Sequence, residues 1–114
     1  MITVGQVRRL ALSLPRTTEH LIRDRVKFRV GAIVYAAFSR DETEFGFAFP
    51  KEERPGLVAS APGTFHLPGE SELRFNWVEA WTGALDEDEM RELVVDAWRM
   101  VVPKFLAAEH LDGR

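Results

Sequence analysis

The chain has 114 residues, 46% of them hydrophobic and 29% charged, and these values exclude a disordered protein. Eight Phe and three Trp can fill a core, and no apolar run approaches the roughly 20 residues that span a bilayer. The net charge of −3 excludes a strongly basic nucleic-acid-binding domain, and the lack of Cys excludes disulfides and thiolate metal sites. We therefore expect one soluble domain over residues 1–114, without a signal peptide and cytoplasmic.

The first predicted element is a helix over residues 4–14. Thr3 and Gln6 have the spacing of a capping box, and Pro15 directly follows the last apolar residue of the segment. The apolar residues between them fall on one helical face, and they are Val4, Val7, Leu10, Ala11 and Leu14. The chain therefore begins with an amphipathic helix.

Three strands follow, because the hydrophobic period changes from that of a helix to two. Residues 25–30 alternate apolar and basic side chains, and residues 32–38 are apolar almost without interruption. A third strand carries the alternating Phe45, Phe47 and Phe49, which we expect in the core. The short connections between these strands favour an antiparallel meander.

The second half of the chain predicts a weaker helix, two strands and a final helix. The weaker helix covers residues 51–61, and it is weaker because Pro and Gly interrupt it. The patterns of residues 64–67 and 75–82 predict strands. Asp86 is the N-cap of the final helix, which Pro103 interrupts. The predicted fold is α+β in the order α-β-β-β-α-β-β-α, with a mainly antiparallel five-stranded sheet and helices packed on it.

Four stretches of the sequence resemble those of one known family. They are Phe28-Arg29-Val30-Gly31-Ala32-Ile33, Pro62-Gly63-Thr64-Phe65-His66-Leu67, Asn76-Trp77-Val78 and Asp96-Ala97-Trp98-Arg99-Met100-Val101-Val102-Pro103-Lys104. With the element order, they resemble the MmcQ/YjbR-like family of small bacterial proteins over nearly the whole chain. The resemblance implies DNA binding, because members are labelled so from the similarity of their fold to a double-winged DNA-binding domain.

A basic stripe is the first candidate for a binding site. Its members are spaced by two, so a strand through them would point all four side chains to one face: Arg23, Arg25, Lys27 and Arg29. Such a face is either solvated or binds the phosphates of DNA, weakly and without sequence preference. Weak DNA binding through this strand is therefore the leading hypothesis.

The alternative is a protein–protein or self-association module. Phe75, Trp77 and Trp81 fall on one side of the predicted strand over residues 75–82, where Glu79 interrupts the apolar pattern. If part of this face is exposed, Trp77 and Trp81 form a partner surface. We expect Trp81 to be partly exposed in a monomer and covered in a homodimer.

The sequence contains no recognisable catalytic or metal-binding motif. His20, His66 and His110 stand in no triad or zinc pattern, and His66 is typical of a histidine on a sheet face. The acidic run over residues 86–89 is explained by the positive end of a helix dipole. We therefore expect neither an enzyme nor a bound metal or cofactor.

Overall fold

The computed structural model describes residues 1–112, the last two as backbone only. Its helices are α1 (Val4–Ala11), α2 (Arg54–Ser60), α3 (Glu87–Arg99) and α4 (Lys104–Asp112). Its strands are β1 (Thr17–Ile22), β2 (Arg25–Val30), β3 (Ile33–Phe38), β4 (Glu44–Ala48), β5 (Phe65–His66) and β6 (Trp77–Trp81). Within the described residues, no helix is both long enough and apolar enough to cross a membrane.

The six strands form one antiparallel sheet in the order β1-β2-β3-β4-β6-β5. The α+β class and the antiparallel meander of β2, β3 and β4 confirm the predictions. Both predicted helix starts also form, because Thr3 and Gln6 make the capping box of α1 and Asp86 caps α3. The predicted number of five strands was wrong, since β1 adds a sixth.

Strand β1 is missing from the predicted order because its sequence has no clear hydrophobic period. Most of its side chains are polar, and Leu21 is exposed. Antiparallel pairing with β2 along its whole length holds it in place. Arg23 and Asp24 connect the two strands at φ values of 53° and 64°. Positive φ at both positions is typical of a two-residue type I′ turn, and here neither residue is the Gly or Asn that would predict one.

Helix α2 confirms the weaker predicted helix in a shorter form. Pro55 lies in its first turn, where a backbone N–H has no intrahelical partner, so proline is tolerated there. The neighbouring Arg54 is buried and donates hydrogen bonds of 2.7 to 3.1 Å to the carbonyls of Leu73, Phe75 and Trp77. These bonds hold the loop before β6, and Phe75 lies in this loop rather than in the strand where it was predicted.

The core lies between one face of the sheet and helices α1 and α3. Trp98 of α3 is fully buried, and its indole Nε1 donates a hydrogen bond of 2.8 Å to the carbonyl of Pro15. The sheet contributes mostly aromatic side chains, and the buried ones are Phe28, Tyr35, Phe38, Phe45, Phe47 and Phe65. Phe45 and Phe47 are therefore core residues as predicted, whereas Phe49 lies just outside β4 and is half-buried.

Tyr35 is the extra residue of a β-bulge in β3, opposite Phe28 and Arg29. Its hydroxyl lies 2.8 Å from the Oγ1 of Thr17. Burial raises the pKa of Tyr35 to about 12, and the hydrogen bond with Thr17 is a smaller effect that lowers it. The bulge thus places the protonated phenol of Tyr35 where its hydrogen bond with Thr17 joins β3 to β1.

We predict that Tyr35, the only tyrosine of the chain, ionises near pH 12 in the folded protein and near pH 10 in the unfolded one. Because the folded state keeps its proton through this window, the free energy of unfolding should fall as pH rises from 10 to 12. Alkaline titration of the phenolate absorbance measures this, with urea-unfolded protein as the reference. Thr17→Val should move the midpoint further up, and a folded midpoint near 10 would contradict the prediction.

Candidate binding site on the open sheet face

The sheet face opposite the core carries a groove of about 590 Å³, called the open-face groove below. Successive residues of a strand point to opposite faces, so the basic side chains of β2 and the acidic ones of β4 and β6 share this side. Arg25 and Lys27 line one wall, and Glu44 and Glu79 line the other. Small residues of β3 and β4 lie between the walls, and they are Ala37, Gly46 and Ala48.

Three of the four predicted basic residues reach this face. Arg25, Lys27 and Arg29 alternate along β2, with Arg25 exposed and the other two half-buried. The Nη2 of Arg29 lies 3.1 and 3.2 Å from the ring nitrogens of His20, so this guanidinium is already engaged. Arg23 lies in the β1–β2 turn. The expectation that one strand passes through all four residues was therefore wrong.

Trp77 and Trp81 lie on the same face of β6, as predicted, with Glu79 between them. The Trp77 indole packs against Gly46, where an added Cβ would come within 2.6 Å of the ring. A side chain at position 46 would therefore displace Trp77. Trp81 is 43% exposed, which confirms the expected partial exposure, and its ring lies 4.6 Å from the ring of His66. The two Trp rings thus have different neighbours and do not form one apolar patch.

Three potential metal ligands meet where β4, β5 and β6 lie side by side. They are Glu44, His66 and Glu79, called the Glu–His–Glu cluster below. The Glu44 Oε1 lies 3.2 Å from the His66 Nε2, and the Glu79 Oε1 lies 3.7 Å from the Nδ1 of the same ring. The Nδ1 also lies 3.1 Å from the carbonyl oxygen of Leu67. The imidazole therefore stands between two carboxylates.

No sequence motif indicates this cluster, because its residues are far apart along the chain. Only strand pairing brings them together: His66 lies opposite Glu79 in the β5–β6 pair, and β4 pairs with the other edge of β6. The one signal available in the sequence is a carboxylate between Trp77 and Trp81, in a strand whose other face is apolar. That signal identifies Glu79 and leaves its two neighbours unidentified.

Burial raises the pKa of the Glu79 carboxyl above its usual value, and repulsion by Glu44 raises it further. His66 and Arg25 act in the opposite direction and do not cancel the shift. Glu19 on β1 shows the reverse case, because the hydrogen bonds of 2.7 and 2.8 Å from Arg8 lower the pKa of its carboxyl. The groove thus contains a carboxylate whose ionisation works against folding.

We predict that Glu79→Gln raises the free energy of unfolding at neutral pH and has little effect below about pH 4. The folded pKa of Glu79 exceeds the unfolded value of 4.5, so the folded state binds more protons between these two values. The free energy of unfolding therefore falls as pH rises from the unfolded to the folded pKa of Glu79. The amide introduced by Glu79→Gln does not ionise, so the variant avoids this fall. Urea denaturation in the presence of EDTA, at a series of pH values, measures the effect.

The matched control is Glu19→Gln, for which the opposite sign is expected. Because the pKa of Glu19 is lowered, its carboxylate stabilises the fold at neutral pH, and this contribution disappears as pH falls through the folded pKa. The control should therefore be less stable than the parent at neutral pH. Equal losses of stability in both variants would show that burial does not penalise the Glu79 charge.

Comparison with known proteins identifies the family. A family model described as YjbR matches residues 12–100, well over half of the chain. The fold is similar to the crystal structure of Deinococcus radiodurans protein DR2400, family-model domain DUF419, with a TM-score of 0.78, 19% identity and coverage of 98% of this chain and 89% of that chain. No curated protein matches the sequence. The family match covers three of the four resembling stretches and most of the fourth, and the chain belongs to the YjbR family.

Proposed function

We propose that this YjbR-family protein binds nucleic acid weakly and without sequence preference in the open-face groove, as a binding protein rather than an enzyme. The observation that carries the proposal is that Arg25 and Lys27 line the same groove as Phe75 and Trp77. Proteins that bind single strands combine a positively charged groove with aromatic side chains on which bases stack. Both features are present on this face.

The dimensions of the face favour an unpaired strand over a duplex. From β2 to β6 there are three strand spacings, or about 14 Å. A backbone that follows β2 can place phosphates at Arg25 and Lys27, with its bases directed across the small floor residues toward Trp77 and Phe75. A duplex would present only phosphates to this face, and the carboxylates of the acidic wall would repel them.

The acidic wall also limits the affinity. Glu44 and Glu79 both line the groove, and the whole chain has a net charge of −3. Arg29 adds positive potential to this face but makes little direct contact with a bound nucleic acid, since it is half-buried against His20. We therefore expect dissociation constants in the usual unspecific range, roughly 10⁻⁴ to 10⁻⁶ M at physiological salt.

We predict that replacing Arg25 and Lys27 together by Ala weakens binding of single-stranded DNA and flattens its salt dependence. Two phosphate contacts contribute about −1.4 to the slope of log K against log salt for a single strand, and the double variant should lose this amount. Two oligonucleotides of unrelated sequence should respond equally, because phosphate contacts carry no base information. Fluorescence anisotropy at several salt concentrations measures the slope.

The matched control removes the same two charges from the helices. Arg91 and Lys104 are exposed on α3 and α4, so replacing both by Ala should leave the slope nearly unchanged. Phe75→Ala should weaken binding roughly tenfold and keep the slope, since stacking is not ionic. Absence of binding at low salt, or equal effects of the two double variants, would contradict the proposal. Tighter binding of a duplex would indicate phosphate contacts alone.

Self-association is the second candidate function, and the exposure of Trp81 favours it. Leu67 follows His66, whose ring lies beside that of Trp81, and Leu67 is also exposed. Strand β5 at this edge of the sheet has only two residues, so the edge offers little backbone for pairing. A second copy would therefore contact this region through side chains, with Trp81 as the largest of them.

We predict that Trp81→Ala lowers self-association and leaves the fold intact, because the ring lies outside the core. Light scattering over a range of protein concentrations measures the association, and circular dichroism checks the fold. Phe105→Ala removes another exposed aromatic ring from α4 and serves as the matched control. A parent protein that stays monomeric at high concentration would exclude this candidate.

A further inference from the structure

His66 has the hydrogen-bonding arrangement typical of a metal ligand. Its Nδ1 lies 3.1 Å from the carbonyl oxygen of Leu67. Since a carbonyl only accepts hydrogen bonds, the Nδ1 must carry the proton in this contact. Metal-binding histidines commonly donate their second ring N–H in this way, which fixes the tautomer and leaves a lone pair on the other nitrogen. Here the other nitrogen is Nε2.

The surroundings of Nε2 lack a donor and contain negative charge. Among the described residues this buried atom has no hydrogen-bond partner. The Glu44 Oε1 lies 3.2 Å away, but this contact does not have the geometry of a hydrogen bond. When this nitrogen carries a lone pair, it is repelled by the carboxylate oxygen that it faces unless a proton or a metal ion lies between them. Glu79 adds a second carboxylate, whose Oε1 lies 3.7 Å from the Nδ1 of the same ring. Two carboxylates and one imidazole nitrogen thus meet at a point where a cation would be attracted.

We propose that the Glu–His–Glu cluster is a binding site for one divalent transition-metal ion of the Mn²⁺ or Zn²⁺ type. One imidazole nitrogen and two carboxylate oxygens suit such ions, whereas Mg²⁺ and Ca²⁺ prefer oxygen ligands only. One ligand atom from each residue lies within 4.8 Å of the other two. Atoms bound at about 2.1 Å from one ion lie roughly 3 to 3.5 Å apart, so the most widely separated ligand atoms need to approach each other by about 1 to 2 Å.

The sheet holds the three ligands in place before an ion enters. Pairing of β4 and β5 with β6 sets the three backbones in register, and the Trp81 ring packs against His66. Glu44 and Glu79 also line the open-face groove, so the remaining coordination positions face solvent or a bound ligand. A site with three protein ligands and open positions resembles catalytic rather than structural metal sites in its coordination.

The test uses the metal ions alone, without nucleic acid, so that its outcome is independent of the proposed function. Protein treated with EDTA and then freed of it is titrated with MnCl₂ or ZnCl₂ by calorimetry, and its melting temperature is followed at increasing ion concentration. We expect one ion per chain and a melting temperature that rises with ion concentration, since the ion binds the folded state. MgCl₂ at the same concentrations should have little effect.

His66→Gln and Glu79→Gln should each weaken ion binding at least about tenfold. Because Glu79→Gln is expected to be more stable than the parent, loss of binding in this variant cannot be attributed to unfolding. His20→Gln and Glu92→Gln make the same substitutions outside the cluster, the second at an exposed position of α3, and should bind like the parent. Absence of saturable binding by either ion, or unchanged affinity in both cluster variants, would overturn the proposal.

Discussion

The position of β6 between β4 and β5 is the constraint on which the rest of the structure depends. Val78 and Ala80 of this strand enter the core, whereas Glu79 faces the groove. A shift of one residue in the register would exchange the two faces, burying the carboxylate in the core and exposing apolar side chains. Arg54 helps to hold the register through its hydrogen bond to the Trp77 carbonyl. Gly46 also helps, because its lack of a side chain leaves room for the Trp77 ring to pack against β4. The pairing that completes the core therefore also assembles the groove.

The helices and the central meander could be predicted because local signals specify them. The capping box at Thr3, the Asp86 N-cap and the alternating Phe residues of β4 each act within a few residues of the chain. Strand β1 could not be predicted, because its pairing with β2 rather than an apolar face holds it. The Glu–His–Glu cluster could not be predicted for a similar reason, since strands that are distant in sequence become neighbours only in the sheet. The basic stripe was predicted with four members on one strand; three of them lie on β2, whereas Arg23 lies in the hairpin turn.

The open-face groove departs from what stability alone would select. The ionised Glu79 carboxyl is held in a partly desolvated place beside Glu44, and this costs stability at neutral pH. The buried aromatic core on the other face of the same strands compensates for such a cost. Places where the local rules of folding are broken without an evident structural gain are commonly functional sites. The groove is therefore a stronger candidate for a functional site than the solvated faces of the helices.

The two proposals concern opposite walls of one groove and are linked through charge. Without an ion, Glu44 and Glu79 give their wall a charge of about −2, which repels phosphates held at Arg25 and Lys27. A divalent ion in the Glu–His–Glu cluster would bring that charge close to zero and weaken the repulsion. By thermodynamic reciprocity, a bound nucleic acid would then favour the ion to the same degree as the ion favours the nucleic acid. Each proposal nevertheless depends on its own residues: phosphate binding depends on the cationic side chains of β2, and ion binding depends on the lone pair of His66.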